Sequence, residues 1–415
     1  MKYGIVYRKT TKNIGDDIQA YAASQWLPSV DYQIDLESLD TFVAEDDEPV
    51  AAIMSAWYMW AKWHWPPSKH LYPLWIGLHY TDGWRNRHEA IGRDMPSKFE
   101  YLASGPGKEY LTKYGKIGCR DPYTKGKLDE LGIDSYFSGC VTLTLQRDEN
   151  LPKPKEEYVV LVGVGRSVEK AVRKQLAGTG IGVEVVNPMR PQKSTELSWE
   201  ERKAQVQKML AIYQNAKCVL TFRLHCALPC LALGTPVLLV RPNFSSIRFQ
   251  PYKDWMPNAY PQEVIDGKFA EWMKNPPPNP DTYKETRENL IKLCKEFVEK
   301  AKNETRKASE IYESDYGFDE TELLRWRVKT MSETLDNYLE ETRIDIEKIK
   351  ELNKKLKGYE NKGKDQDEKL IVVENCASVR FTLKVREIYS NWVFAYRRRR
   401  SRRIAKKAEK KKAAK

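Results

Sequence analysis

The sequence predicts an α/β protein with two Rossmann-like lobes around a central cleft, followed by a C-terminal helical arm and a basic tail. Residues 1–150 alternate short β-like runs with helical stretches, a pattern typical of βαβ units on a mainly parallel sheet. After a Pro-rich charged joint at 151–155, the apolar run 158–165 indicates a fully buried strand entering a glycine turn. We therefore predict a first lobe over 1–150 and a second over 156–275.

Each lobe contains several predicted elements. In the first we expect strands at 3–7, 73–78 and 116–119 and helices at 17–24 and 124–131. In the second we expect strands at 158–165, 183–186, 218–221 and 236–240 and helices at 199–216 and 225–233.

A run of prolines at 275–279 ends the α/β pattern, and 280–357 is predicted to be a helical arm. Ten positions from 324 to 356 follow strict 4,3 spacing, and eight of them are apolar. This heptad seam fits a helix packed on its own globule or a coiled coil that pairs two chains into a homo-oligomer, and the sequence leaves both open. Residues 358–415 are predicted to be a charged linker and an aromatic and basic tail.

The positive charge is concentrated in the tail. The chain has a formal charge of +12, and residues 397–415 hold twelve Lys and Arg against Glu409 alone. The body is therefore nearly neutral, which argues against nucleic acid as a partner. Trp392, Phe394 and Tyr396 precede the basic run, an arrangement suited to an anionic membrane surface; a disordered solubilising tail is the equal alternative.

The seven cysteines show no paired CxxC spacing, which indicates reduced thiols and a cytoplasmic protein. The start lacks the features of a signal peptide, and the longest apolar run, 228–240, is interrupted by Pro and Gly. We expect no transmembrane helix, and at most a peripheral position on the inner face of the membrane.

The strongest local signal is the segment TFRLH at 221–225, between a predicted strand and an apolar helix. It puts Arg223 and His225 at the carboxyl end of a strand, the edge where open α/β sheets bind ligands. The following helix offers free N–H groups and a positive dipole end to an anion. The alternative is that Arg223 pairs with a local acid and His225 caps the helix.

Two further segments have a similar setting. NIGDDIQAY at 13–21 follows the first strand at a glycine turn, and IGCRDPYT at 117–124 ends a short strand with the pair Arg120 and Asp121. The run SGCVTLTL at 138–145 comes after them.

Together these segments resemble the polysaccharide pyruvyl transferase family, whose members carry N-x-G-D-x-x-Q-A, G-C-R-D-x-x-T, S-G-C-x-T-L-T-L and T-x-R-L-H motifs in this order. WPPS at 65–68 and PLWIGLH at 73–79 match further stretches of bacterial members. The resemblance spans about residues 3–250. It implies a fold like that of two-lobed (GT-B) glycosyltransferases and transfer of a pyruvyl group from phosphoenolpyruvate to sugar hydroxyls, as a ketal on a surface polysaccharide or its lipid-linked precursor.

The residue types suit that chemistry. Phosphoenolpyruvate carries a carboxylate and a phosphate, and guanidinium groups grip oxyanions with paired hydrogen bonds. We expect Arg120 and Arg223, with Leu224, to bind phosphoenolpyruvate, and His225 to act as acid and base. Asp16 and Asp17 are further candidates for the base, or else cap the helix.

Other candidates are weaker. The loop with Gly163 and Gly165 could offer N–H groups to the phosphate or be only a tight turn. For the sugar acceptor we expect Asn13, Trp57, Trp63 and His79, although clustered tryptophans are more often part of a core. No HxxxH or HExxH spacing occurs, so no metal and no cofactor are expected beyond phosphoenolpyruvate as donor.

Two other functions remain open at this point. A nucleotide-sugar glycosyltransferase would share the two-lobed architecture, since fold does not determine function. A non-catalytic scaffold that holds a polysaccharide-synthesis complex at the membrane would use the arm and tail while lacking activity.

Overall fold

The structure is a computed structural model of the chain that describes residues 1–55, 64–80, 102–114, 116–191, 194–315 and 320–360. The chain divides into two compact units, Met1–Val328 and Lys329–Lys415. The functional residues predicted from the sequence all fall within the first unit.

The first sheet has four parallel strands in the order β2-β1-β3-β4. These strands are β1 (Lys2–Tyr7), β2 (Tyr32–Asp35), β3 (Val50–Met54) and β4 (Leu71–Trp75). A parallel pair, β5 (Ile117–Cys119) and β6 (Ser135–Phe137), follows, and a parallel bridge joins Leu78 to Cys119. Because all these strands are parallel, their carboxyl ends lie at the same edge of the sheet.

The second sheet has five parallel strands in the order β11-β10-β9-β7-β8. They are β7 (Tyr158–Val162), β8 (Gly182–Val186), β9 (Cys218–Thr221), β10 (Val237–Val240) and β11 (Asn258–Ala259). The central strands β9 and β10 are fully buried, as expected for strands covered by helices on both faces. The predicted α/β class with parallel sheets is confirmed.

Eleven α-helices occur among the described residues. They are α1 (Ile14–Ser24), α2 (Gly105–Lys113), α3 (Pro122–Glu130), α4 (Arg166–Gln175), α5 (Trp199–Asn215), α6 (Leu224–Leu233), α7 (Pro261–Ile265), α8 (Ala270–Lys274), α9 (Lys284–Asn303), α10 (Ala308–Asp315) and α11 (Glu320–Glu360).

Helix α1 begins three residues before the predicted start at residue 17. Asn13 is its N-cap, and the Asn13 side chain accepts a hydrogen bond from the backbone N–H of Gly15. Asp16 and Asp17 therefore lie in the first turn of the helix and do not precede it. The side chains of these two adjacent residues point in different directions and therefore have different surroundings at the site.

Three helices, α9, α10 and α11, occupy most of the predicted arm at 280–357. Helix α9 buries Leu290, Cys294 and Phe297 in the same core as α1, because its apolar residues recur at helical spacing. The first compact unit consequently extends to Val328, within α11. The linker and tail after residue 360 lie outside the described residues. Among the helices that are described, none is both long and apolar enough to cross a bilayer.

Candidate active site

A cavity of about 240 Å³ lies at the carboxyl ends of strands from both sheets. Its walls are formed by the segment after β1, the first turn of α1, the end of β3, and the segment after β9. The lining residues are Val6, Tyr7, Arg8, Asn13, Asp16, Gln19, Leu36, Ser55, Arg223, His225 and Arg248. Such an edge is where parallel α/β sheets place their ligands.

The TFRLH segment forms the junction between β9 and α6. Arg223 has an extended backbone and is the N-cap of α6, and its backbone N–H donates to Thr221 Oγ1 at 3.0 Å. His225 lies in the first turn, with φ −79° and ψ 24°. Both side chains line the cavity, as expected for residues that follow a strand.

His225 contacts residues from the part of the chain that precedes the second sheet. Its Nε2 is 3.4 Å from Arg120 Nη1 and 3.9 Å from Cys140 Sγ. A Cβ atom placed on Gly15 would lie 3.0 Å from the Cβ of His225, so the glycine turn and the histidine are in close contact. Burial, then the nearby Arg120 and Arg248, hold the pKa of His225 well below its usual range. The imidazole is therefore neutral at pH 7.

Arg120 is a buried cation that contacts His225 and is not itself among the residues that line the cavity. Its side chain is 1% exposed, and Nη1 donates to Gln19 Oε1 at 3.4 Å. Its Nε and Nη2 are buried and have no hydrogen-bond partner among the described residues. Leaving a buried charged donor unpaired is costly, and these two nitrogens have the chemistry to donate hydrogen bonds to an anion.

Arg248 completes the basic lining, and sequence reasoning did not identify it. It follows the carboxyl end of β10, and burial together with the charge of Arg120 lowers its pKa to about 10. Like Arg223, it follows a strand of the second sheet, at the edge where parallel sheets bind ligands. Ser55, at the end of β3, is a second missed lining residue, and its buried Oγ has no partner among the described residues.

The two adjacent aspartates have different surroundings. Asp16 lines the cavity and accepts from Thr11 Oγ1 at 2.6 Å and from Asn13 Nδ2 at 3.0 Å. Asp17 is fully buried and forms ion pairs with Arg190 and Arg202. Asp16 and Asn13 thus meet the expectation of a position at the cavity, and Asp17 does not.

The remaining predicted residues lie around the cavity or away from it. Gly163 and Gly165 have positive φ values of 71° and 86° and do not line the cavity; a Cβ on Gly163 would lie 2.6 Å from the Phe222 ring. These positive φ values account for glycine at both positions. Leu224 is buried and borders a smaller space behind Arg223.

His79 is buried, and its Nδ1 lies 2.5 Å from Asp121 Oδ2. Burial and the charge of Arg120 lower its pKa to about 3. His79 is not part of the cavity lining, and Trp57 and Trp63 lie outside the described residues. In the part of the chain that is described, no cluster of three or more His, Cys, Asp or Glu could hold a metal ion, and the expectation of a metal-free reaction stays a prediction.

The chain resembles several solved structures in fold. One is a UDP-N-acetylglucosamine 2-epimerase, with 11% identity and a TM-score of 0.44 over 76% of this chain and 97% of that one. Another is the UDP-GlcNAc 2-epimerase of Methanocaldococcus jannaschii, with 12% identity and a TM-score of 0.43 over 73% of this chain and 100% of that one. Neither likeness bears on activity. A search of curated proteins finds no match.

The family comparison concerns the segment that carries the site. The sequence model of the polysaccharide pyruvyl transferase family matches residues 99–243. That span includes Arg120, Arg223 and His225, on which the resemblance was based. The match confirms that this segment resembles the polysaccharide pyruvyl transferase family, and it supports a transferase enzyme.

Proposed function

We propose that the protein transfers the pyruvyl group of phosphoenolpyruvate to a pair of sugar hydroxyls and forms a pyruvate ketal. The observation that carries this proposal is the guanidinium of Arg120, which is buried beside His225 with two nitrogens that have no hydrogen-bond partner among the described residues. Arg223 and Arg248 line the cavity beside His225, Arg8 lines it and pairs with Glu37, and Asp16 is the one acid among the lining residues. A small ligand with two anionic groups fits this charge distribution.

Phosphoenolpyruvate has the required pair of anions. One arginine from the first sheet and two from the second can hold its carboxylate and phosphate between them. The helix α6 begins at Leu224, so its free N–H groups and positive dipole end add to the attraction. Leu224, Gly163 and Gly165 remain candidates for contact with the donor through their backbones.

His225 suits the proton transfers. In the reaction the enol methylene carbon gains a proton, and C2 forms bonds to both sugar oxygens. The C2–O bond to phosphate breaks, so that inorganic phosphate leaves with the second hydroxyl proton. A bound dianion raises the pKa of a neighbouring imidazole, because the charged form is stabilised. The neutral His225 of the free protein would thus become protonated with the donor and serve as the acid.

The acceptor side of the cavity is proposed to be the first turn of α1. Asn13 and Asp16 can bind sugar hydroxyls there, and Asp16 is our candidate for the base in place of Asp17. The acceptor is proposed to be a surface polysaccharide or its lipid-linked precursor, with Trp57, Trp63 and His79 as further candidate contacts. The two sheets would then correspond to the two lobes of a GT-B-like enzyme.

Ligand binding separates this proposal from a nucleotide-sugar enzyme. Millimolar phosphoenolpyruvate should raise the melting temperature of the wild-type protein, since a ligand at 100 times its Kd stabilises by about 2.7 kcal/mol. Arg223→Ala should lose most of that increase, because it removes one anion contact. An increase with UDP-sugars and none with phosphoenolpyruvate would reject the proposal.

A further inference from the structure

The segment from Arg8 to Asp17, which follows β1 of the first sheet, is hydrogen-bonded to the segment that follows β8 of the second sheet. The backbone N–H of Ile14 donates to the carbonyl of Pro188 at 2.9 Å, and that of Arg190 donates to Lys12 at 2.9 Å. This segment supplies three of the eleven lining residues of the cavity, Arg8, Asn13 and Asp16.

Asp17 joins the same two parts through its side chain. Its carboxylate receives hydrogen bonds from Arg190 Nη2 and from Nε and Nη2 of Arg202. Arg202 also donates to the carbonyl of Arg8 at 2.7 Å and to that of Lys9 at 3.3 Å. All three charged side chains are at most 3% exposed. We call Asp17, Arg190 and Arg202 the Asp17 clamp.

Burying the three charged side chains of the clamp costs desolvation free energy. The clamp sets one carboxylate against two guanidiniums, and Nε and Nη1 of Arg190 have no partner among the described residues. A buried group of this kind adds little net stability compared with apolar side chains of similar size. The clamp instead fixes the position of the first turn of α1, because donors from two separate segments converge on one carboxylate in that turn.

The position of this turn affects the surroundings of His225. Gly15 lies two residues before Asp17 and is in contact with His225. A shift of the first turn of α1 would move Asn13 and Asp16 relative to His225 and to Arg223. Misplacement of a catalytic constellation by about 1 Å can cost about 100-fold in rate.

We propose that Asp17 is a positioning residue, which through Arg190 and Arg202 sets the distance between the acceptor-side turn and the His225 side of the cavity. For its catalytic consequence the inference rests on the proposed pyruvyl transfer. Its structural content, a fixed turn, can be measured without activity.

The test uses the paired variant Asp17→Asn/Arg190→Gln. Asp17→Asn alone leaves two buried cations without a counter-ion and is expected to be strongly destabilised. The paired variant keeps the net charge of the clamp, so its melting temperature should recover most of that loss. Its kcat should nevertheless remain about 10- to 100-fold below wild type, with the KM for phosphoenolpyruvate changed by about 3-fold or less.

Hydrogen exchange provides the second readout. The amides of Ile14 and Arg190, which bridge the two parts, should exchange faster in the paired variant, while those of α6 keep the wild-type rate. The matched control is Asp40→Asn, at a position outside the cavity lining. It removes a carboxylate that lies 2.6 Å from His64 Nδ1 and 3.9 Å from Arg327 Nε. It should lower the melting temperature and leave kcat unchanged.

Two outcomes would overturn the inference. One is a paired variant that recovers both stability and wild-type kcat, which would make the clamp a structural ion pair only. The other is unchanged exchange at Ile14 and Arg190, which would mean that the turn is held without the clamp. If the wild type transfers no pyruvyl group, the proposed function fails, and the exchange measurement alone still decides the clamp.

Discussion

Arg120 illustrates how much chemistry one residue can indicate. Its place after a short strand in the G-C-R-D segment led to the prediction of anion binding, and the structure gives it 1% exposure with two unpaired nitrogens. Arg223 and His225 were predicted in the same way, from residue type and position after a strand. The sequence suggests Asp17 as a candidate base, and it does not reveal the ion pairs of Asp17, because the partners are 173 and 185 residues away in the sequence. Pairings over such distances depend on how the sheets pack, which local patterns do not encode.

The buried charge of Arg120 predicts that removing it will make the free protein more stable and will weaken the binding of phosphoenolpyruvate. Arg120→Met removes a buried cation that has no counter-ion, so the free protein should melt a few degrees higher than wild type. The same variant should lose the stabilisation by phosphoenolpyruvate, because one anion contact is gone. Differential scanning calorimetry with and without the ligand measures both effects.

Arg147→Gln is the matched control for that experiment. Arg147 is more than one-third exposed and pairs with Glu149 outside the cavity. Its loss should neither raise the melting temperature nor change the response to phosphoenolpyruvate. A free Arg120→Met protein that is less stable than wild type would show that Arg120 is a structural residue.

At the scale of elements, most expected strands and helices lie within a few residues of the observed bounds, and the elements that the sequence does not predict are mostly short. The buried strand β7 and the helices α5 and α6 lie within a few residues of their predicted bounds. Strands β2 and β3 were not predicted. β3, of sequence VAAIM, is buried throughout, and a short apolar run without alternation does not distinguish a strand from a buried helix.

The first turn of α1 gives a prediction for an element. Gly15→Ala should favour the helix, since alanine is about 1 kcal/mol better than glycine in helices. Its new methyl group, however, would lie 3.0 Å from the Cβ of His225 and 3.3 Å from its Nδ1. We expect kcat to fall by about 10-fold or more as His225 is displaced, which steady-state kinetics would detect.

Gly126→Ala is a suitable control for this change. Gly126 lies within α3, and a Cβ placed on it would meet no atom within 4 Å. The substitution should stabilise the protein and leave kcat unchanged. Equal kcat values for the two alanine variants would show that contact between Gly15 and His225 is not needed for activity.

At the scale of the whole molecule, the parallel α/β class followed from the alternation of patterns, whereas the extent of the first unit did not. The role of the heptad seam also required the structure. In α11, Leu323 is buried and Arg327 donates to the carbonyl of Pro66 at 2.9 Å, whereas Leu324 and Val328 are 58% and 66% exposed. The start of the seam therefore lies on a different face of α11 from the one that packs, which favours the pairing of two chains over packing on the chain's own globule, the two alternatives that the sequence leaves open.

Substitution in the seam tests that pairing. Val328→Glu in the full chain should reduce an oligomer to monomers, because a charge at an apolar seam position opposes helix pairing. Lys354→Glu, at an exposed position outside the seam, should leave the oligomer intact. Light scattering gives the mass directly, and a monomeric wild-type chain would contradict the proposal.

The central claim is that this cavity transfers a pyruvyl group from phosphoenolpyruvate to a sugar. The most direct measurement is release of inorganic phosphate from phosphoenolpyruvate with a panel of galactosides and N-acetylhexosaminides, for wild type and His225→Ala. We predict release that requires a sugar and falls by about 100-fold or more in the variant, since a general acid contributes about 10²- to 10⁴-fold. Sugar-independent release, or no release with any acceptor in the panel, would contradict the account.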